Sequence, residues 1–129
     1  MPLQADSRAV QVARANLAAW TNHDLAATRA GVADNFTLTV STTQPGGPPE
    51  IRTTGIDDYM ARTEEFVKTV TPGSVKEIGA LGDDRNALLM FTLEADVGQG
   101  KAALANARVY SLDDEGKIAA EHVLFFLGS

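Results

Sequence analysis

Between residues 74 and 127 the sequence is built of strand-length segments separated by turn chemistry. The segments 74–81, 86–97, 101–112 and 117–127 carry apolar residues at a spacing of two, which puts one set of side chains on a buried face. Between them stand Gly82-Asp83-Asp84, Gly98-Gln99-Gly100 and Asp113-Asp114-Glu115-Gly116. Glycine supplies positive φ and aspartate bonds its own backbone, so each is a tight turn. Strands joined by tight turns run antiparallel, and the prediction is a four-strand antiparallel meander. Its last strand is apolar on both faces, with Val123, Phe125 and Leu127 on one and Leu124 and Phe126 on the other. A sheet with one solvated face would alternate with polar residues. Both faces are therefore expected to be covered, one by helices and the other by a second subunit.

The first half supplies the helices. Val10, Ala13, Leu17 and Trp20 recur at helical spacing over residues 6 to 20, with Asp6 or Ser7 available as cap. A second, short helix is capped by Asp24 and stops at Gly31. Phe36, Leu38 and Val40 then alternate with Thr37, Thr39 and Ser41 as a half-buried strand. The QPGGPP stretch at 44–49 reads as a loop, and a short extended segment follows at 50–53. Thr54, three residues before Asp57, approximates a capping box for a third helix through Val70, ended by Thr71-Pro72-Gly73. The fold class is α+β, with three helices in the N-terminal half packed on one face of a curved, mostly antiparallel sheet. At 129 residues the chain is expected to form one domain over 1–129.

Composition narrows the chemistry. Seventeen acidic residues outweigh eleven basic ones, giving a net charge of −6 without a dense basic run, which argues against nucleic acid or an anionic membrane as partner. Cysteine is absent, excluding thiolate nucleophiles and thiolate metal sites. His23 and His122 stand far apart with no ligand spacing around them, so no metal is expected. His23 is placed in a surface turn and His122 on the outer sheet face. The N-terminal stretch lacks a secretory pattern and no apolar run is long enough to span a membrane; a cytoplasmic protein is expected.

This element order, the Ala18-Ala19-Trp20-Thr21-Asn22-His23-Asp24-Leu25 corner, the Ala33-Asp34-Asn35-Phe36 strand entry and the terminal Gly116-Lys117-Ile118 strand resemble the NTF2-like superfamily, most of all its SnoaL-like and ketosteroid-isomerase-like proteins. The resemblance implies a cone of curved sheet closed by helices, an apolar pocket inside it, and a homodimer formed through the outer sheet face. The superfamily holds isomerases, polyketide cyclases, epoxide hydrolases, dehydratases and proteins that only bind. The positions that correspond to the ketosteroid isomerase base, tyrosine and protonated acid are here Val40, Asn16 and Arg108, and none can fill those roles. The aspartate–arginine–aspartate set of limonene-epoxide-hydrolase-like members falls on Phe91, Leu93 and Val123, which are equally unable to act.

Strand alternation brings Leu104, Asn106, Tyr110 and Leu112 inward together with Arg108, and the family register brings in Ala119, Glu121, Val123 and Phe125. Arg108 and Glu121 would then lie about opposite one another. A partly desolvated arginine with a carboxylate partner can bind a carboxylate or enolate bidentately; the same two residues also make an ordinary structural ion pair. The expected pocket is walled by Trp20, Phe36, Leu38, Val40, Phe91, Leu93, Val123 and Phe125, with polar contacts from Arg108, Glu121, Asn16 and Tyr110 and rim hydroxyls from Tyr59 and Thr63. Its ligand would be a small, mainly apolar molecule bearing a carbonyl or carboxylate. Two readings stay open: cofactor-free acid–base isomerisation, cyclisation or dehydration with Glu121 as base and Arg108 stabilising an oxyanion, or a non-catalytic homodimeric binding or interaction module.

Overall fold

Six strands form one open, curved sheet in the order β2-β1-β6-β5-β4-β3. The structure, a computed structural model, describes residues 3–42, 51–96, 98 and 100–127. Along the chain these are α1 (Arg8–Thr21), α2 (Leu25–Ala30), β1 (Val32–Thr42), β2 (Ile51–Thr54), α3 (Ile56–Val67), β3 (Lys76–Gly82), β4 (Asn86–Asp96), β5 (Lys101–Leu112) and β6 (Ile118–Leu127). The expected loop at 44–49 and the side chains of Phe126 and Leu127 lie outside the described residues.

The predicted meander is present as β3 through β6, each strand antiparallel to the next. Local pattern does not show that β1 lies parallel along β6, with Leu38 beside Glu121 and Val40 beside Val123, so the last strand becomes central. That position accounts for the apolar side chains on the helix-covered face of β6, while Leu124 on the other face is 43% exposed. Irregularities at Glu77/Gly79, Val32/Thr37 and Ser111/Leu112 bend the sheet. The last of these corrects one expectation. Ser111 pairs with Ala120 but Leu112 with Ile118, and the extra residue puts Ile118 in the core while Ala119 is only half-buried.

The helices begin and end partly by devices other than those expected. Ser7 occupies the N-cap of α1 without a side-chain capping bond; the Ala9 N–H instead donates to the Asp83 carbonyl in the β3–β4 turn at 3.1 Å. Asp24 does cap α2, accepting from the Ala27 N–H at 3.1 Å. The Thr54–Asp57 box is not formed. Thr54 stays in β2 opposite Thr37, the Gly55 N–H donates to the Phe36 carbonyl at 2.7 Å, and Gly55 caps α3 at φ 95°, a conformation glycine adopts without steric cost.

All three helices cover the concave face. α1 packs on β3, β4 and β5, and α3 on β1 and β2. Between them and the sheet lie Trp20, Phe36, Leu89, Phe91, Tyr110 and Ile118, each with no solvent exposure. The opposite face is bare across Met90, Val109 and Leu124, which are 37%, 47% and 43% exposed.

Candidate functional site

Where α1 and α3 diverge from β1, β5 and β6, the concave face encloses a cavity of about 310 Å³. Its walls are Trp20 from α1, Leu38 and Val40 from β1, Thr53 from β2, Tyr59, Arg62, Thr63 and Phe66 from α3, Leu104, Asn106 and Arg108 from β5, and Val123 and Phe125 from β6. Most of this surface is apolar.

Arg108 is 8% exposed and Glu121 2%. Their side chains meet at 2.7 Å, Nη1 donating to Oε2. They are not opposite one another, as the sequence suggested: Arg108 faces Val123 and Glu121 faces Tyr110, a diagonal that a long guanidinium spans. The guanidinium carbon sits 5.1 Å from the Trp20 ring centroid and 5.2 Å from that of Phe91, between two aromatic faces that attract a cation. Nη2 also donates to Asn106 Oδ1 at 3.4 Å. Since arginine can only donate, the Asn106 oxygen must face it and the amide NH₂ turns away.

Burial dominates the protonation chemistry. Desolvation pushes the Glu121 carboxyl above its usual range, opposed by the Arg108 charge. Burial is the largest influence on Arg108 and works against its charge, but Glu121 and the two neighbouring tyrosines together outweigh it and hold the guanidinium protonated. Tyr59 accepts from Asn16 Nδ2 at 3.2 Å; its hydroxyl is pushed up to about 12 by burial, with Glu121 adding to the effect. Tyr110 is driven well above its ordinary value by burial and by the Glu121 charge.

Several buried polar atoms around the pair have no hydrogen-bond partner among the described residues. Those on cavity-wall residues are the donors Trp20 Nε1, Asn106 Nδ2 and Arg108 Nε. Glu121 Oε1, Asn16 Oδ1 and the Tyr110 hydroxyl are also unpartnered, but on residues that do not line the cavity. A buried donor left unpaired is costly, but these three atoms lie beneath the cavity surface, each with almost no accessible area of its own.

Of the expected site residues, Trp20, Leu38, Val40, Tyr59, Thr63, Arg108, Val123 and Phe125 line the cavity. Asn16, Phe36, Phe91, Leu93, Tyr110 and Glu121 do not; they are buried behind it. Phe91 supports Arg108, Phe36 packs on Tyr59 with ring centroids 4.5 Å apart, and Asn16 bonds the Tyr59 hydroxyl. Thr53, Arg62, Phe66, Leu104 and Asn106 complete the walls. The spacing of Tyr59, Arg62, Thr63 and Phe66 on one helix face was a usable signal, and strand alternation had already turned Leu104 and Asn106 inward. Nothing local marks Thr53, which reaches the cavity because β2 sets it beside Leu38. His23 stands in the corner after α1 at φ 61°, and His122 is exposed, with Nε2 3.1 Å from Ser41 Oγ. Among the described residues no acidic or histidine cluster could hold a metal, and no helix is long and apolar enough to cross a membrane.

Comparison with known proteins gives a consistent picture. A family model described as a SnoaL-like domain matches residues 13–121. No curated protein matches the chain by sequence. Among solved structures, a Kribbella flavida protein is 27% identical with a TM-score of 0.69, over 90% of this chain and 84% of its own. The Mycobacterium tuberculosis protein RV0760c, solved with estradiol-17beta-hemisuccinate, is 13% identical with a TM-score of 0.72, over 92% and 93%. An epoxide hydrolase from the same organism, described as LEH-like, is 20% identical with a TM-score of 0.70, over 92% and 83%. At 13% and 20% identity the last two show a shared fold.

Proposed function

The chain belongs to the SnoaL-like domain family, and from that premise we propose that its cavity binds a small, mainly apolar molecule bearing a carbonyl or carboxylate. The observation that carries this is the cavity itself, about 310 Å³ with a mostly apolar wall to which Tyr59, Thr63, Asn106 and Arg108 contribute polar residues. Leu38, Val40, Phe66, Leu104, Val123 and Phe125 offer the apolar body its contacts. The steroid ester seen in RV0760c is a ligand of this chemical type on the same fold.

Binding without turnover is the better supported of the two readings. A general base must lie within hydrogen-bond reach of the proton it removes. Among the described residues no aspartate, glutamate or histidine lines the cavity, and Glu121 is committed to Arg108. We further propose that residues 1–129 act as one domain and pair as a homodimer through the bare sheet face, where Met90, Ala107 and Leu124 form one row across three strands.

Thermal shift with a panel of steroids, aromatic ketones and lactones tests the site, because a ligand specific for the folded state raises apparent stability. Hits are expected on the wild type and should weaken in Asn106→Leu, which removes one donor, and in Val123→Phe, which fills the cavity. Silence across the panel, or hits indifferent to both substitutions, overturns the assignment. Light scattering at micromolar concentration checks the dimer; Leu124→Glu should yield monomers, and a monomeric wild type ends that proposal.

A further inference from the structure

The cavity is cationic in an acidic protein. Acidic residues exceed basic ones by seventeen to eleven in the chain, yet among the described residues the cavity walls carry Arg62 and Arg108 and no carboxylate. The two arginines are in different electrical states. Arg108 is neutralised by Glu121 at 2.7 Å and has little charge left to offer a ligand. Arg62 is exposed on α3 and forms no ion pair among the described residues. Of the acids nearby on α3, Glu65 bonds Lys68 at 3.1 Å, and Asp58, one turn earlier, is not paired with Arg62. An exposed residue that lines a mostly buried cavity stands at its mouth.

We infer that the ligand is an apolar acid, whose uncharged body fills the cavity and whose carboxylate meets Arg62 at the mouth. This rests on the cavity being a ligand site. An anion at the inner end would have to compete with Glu121 for Arg108 and would leave that carboxylate buried without a partner, which is strongly unfavourable. An uncharged end there disturbs nothing. At the mouth the balance reverses: Arg62 is solvated, pays little to pair, and an anionic tail remains partly in water. The class is therefore a molecule with an uncharged, mainly apolar buried end and one acid group at its open end.

The experiment is titration calorimetry with three matched probes: naphthoylpropionate, a keto acid, its methyl ester, which lacks the charge, and naphthylbutyrate, which keeps the charge without the ketone. On the wild type the keto acid is expected to bind about two- to fivefold more tightly than its ester, the scale of a surface ion pair, and the advantage should shrink at high salt. In Arg62→Gln, an exposed change that should leave the melting temperature in place, acid and ester should bind alike. Naphthylbutyrate, which keeps the charge, should weaken in Arg62→Gln as the keto acid does. Equal binding of acid and ester to the wild type overturns the inference while leaving the cavity a ligand site, and so does an acid advantage that survives Arg62→Gln. If none of the three probes binds, the inference falls together with the ligand-binding reading itself.

Discussion

Arg108 Nη1 lies 2.7 Å from Glu121 Oε2, although the two residues are not cross-strand partners. The contact runs diagonally over the β5–β6 pair and draws the guanidinium between Trp20 and Phe91. It uses one carboxylate oxygen and leaves the other, Oε1, without a partner. The pair is thus held by charge and aromatic packing more than by a complete set of hydrogen bonds, and this determines how it should respond to substitution.

Glu121→Gln keeps an oxygen for Arg108 Nη1 but removes the charge that balances the buried guanidinium. Urea unfolding should show a loss of about 1–3 kcal/mol. Glu121→Ala leaves a buried cation with no acceptor and is expected to cost about 3–5 kcal/mol. Equal costs for the two substitutions would contradict this account of the pair.

Arg108→Met removes the influence that holds the Glu121 carboxyl down, so its folded value rises further above the unfolded 4.5. With a raised folded value the unfolded chain gives up the proton first. Stability is then fully present below the unfolded value and is lost as pH rises through the folded one. Unfolding free energies between about pH 5 and pH 8 should therefore fall more steeply for this variant than for the wild type. Parallel curves would refute the coupling.

Both tyrosines of the chain, Tyr59 and Tyr110, are buried beside the pair. Spectrophotometric titration should show no phenolate at pH 10.0, the ordinary tyrosine value, with Tyr59 ionising near 12 and Tyr110 also late. By the same linkage, their contribution to stability is complete below 10.0 and is lost as pH rises towards 12. A normal half-titration by one tyrosine in the folded protein would place that ring at the surface.

Gly82 lies under α1 and is tied to Gln4 by two backbone bonds of 2.8 and 2.9 Å. A Cβ there would stand 2.5 Å from the Asn86 carbonyl oxygen and 3.0 Å from Ala87 Cα and Val10 Cγ2. Two of those neighbours are backbone and cannot give way, so Gly82→Ala should cost about 1–3 kcal/mol. Gly79→Ala meets only the end of the Met90 side chain, at 3.0 Å, and should cost less. Thermal melts of the two variants decide the comparison.

Much of the site was legible before the fold was known. Alternation along β5 and β6 turned Arg108, Asn106, Val123 and Phe125 inward, because the pleat leaves each side chain only two directions. Asp24 declared the start of α2 through its own short side chain. Depth was not legible. Asn16, Phe91, Leu93 and Glu121 face inward as alternation or helical spacing requires, yet they sit behind the cavity, because facing the interior does not say which layer of it a residue reaches.

The sequence by itself determined the element order, the class of the fold and the face each strand buries, since these follow from local periodicity and turn chemistry. Only the tertiary structure decided that β6 runs between β1 and β5, that the irregularity at Ser111/Leu112 buries Ile118 in place of Ala119, that the Asp83 carbonyl meets the first turn of α1, and that Thr53 joins the cavity wall. Each of these depends on residues far apart in the chain being brought together, and no pattern within a single segment encodes its distant partner.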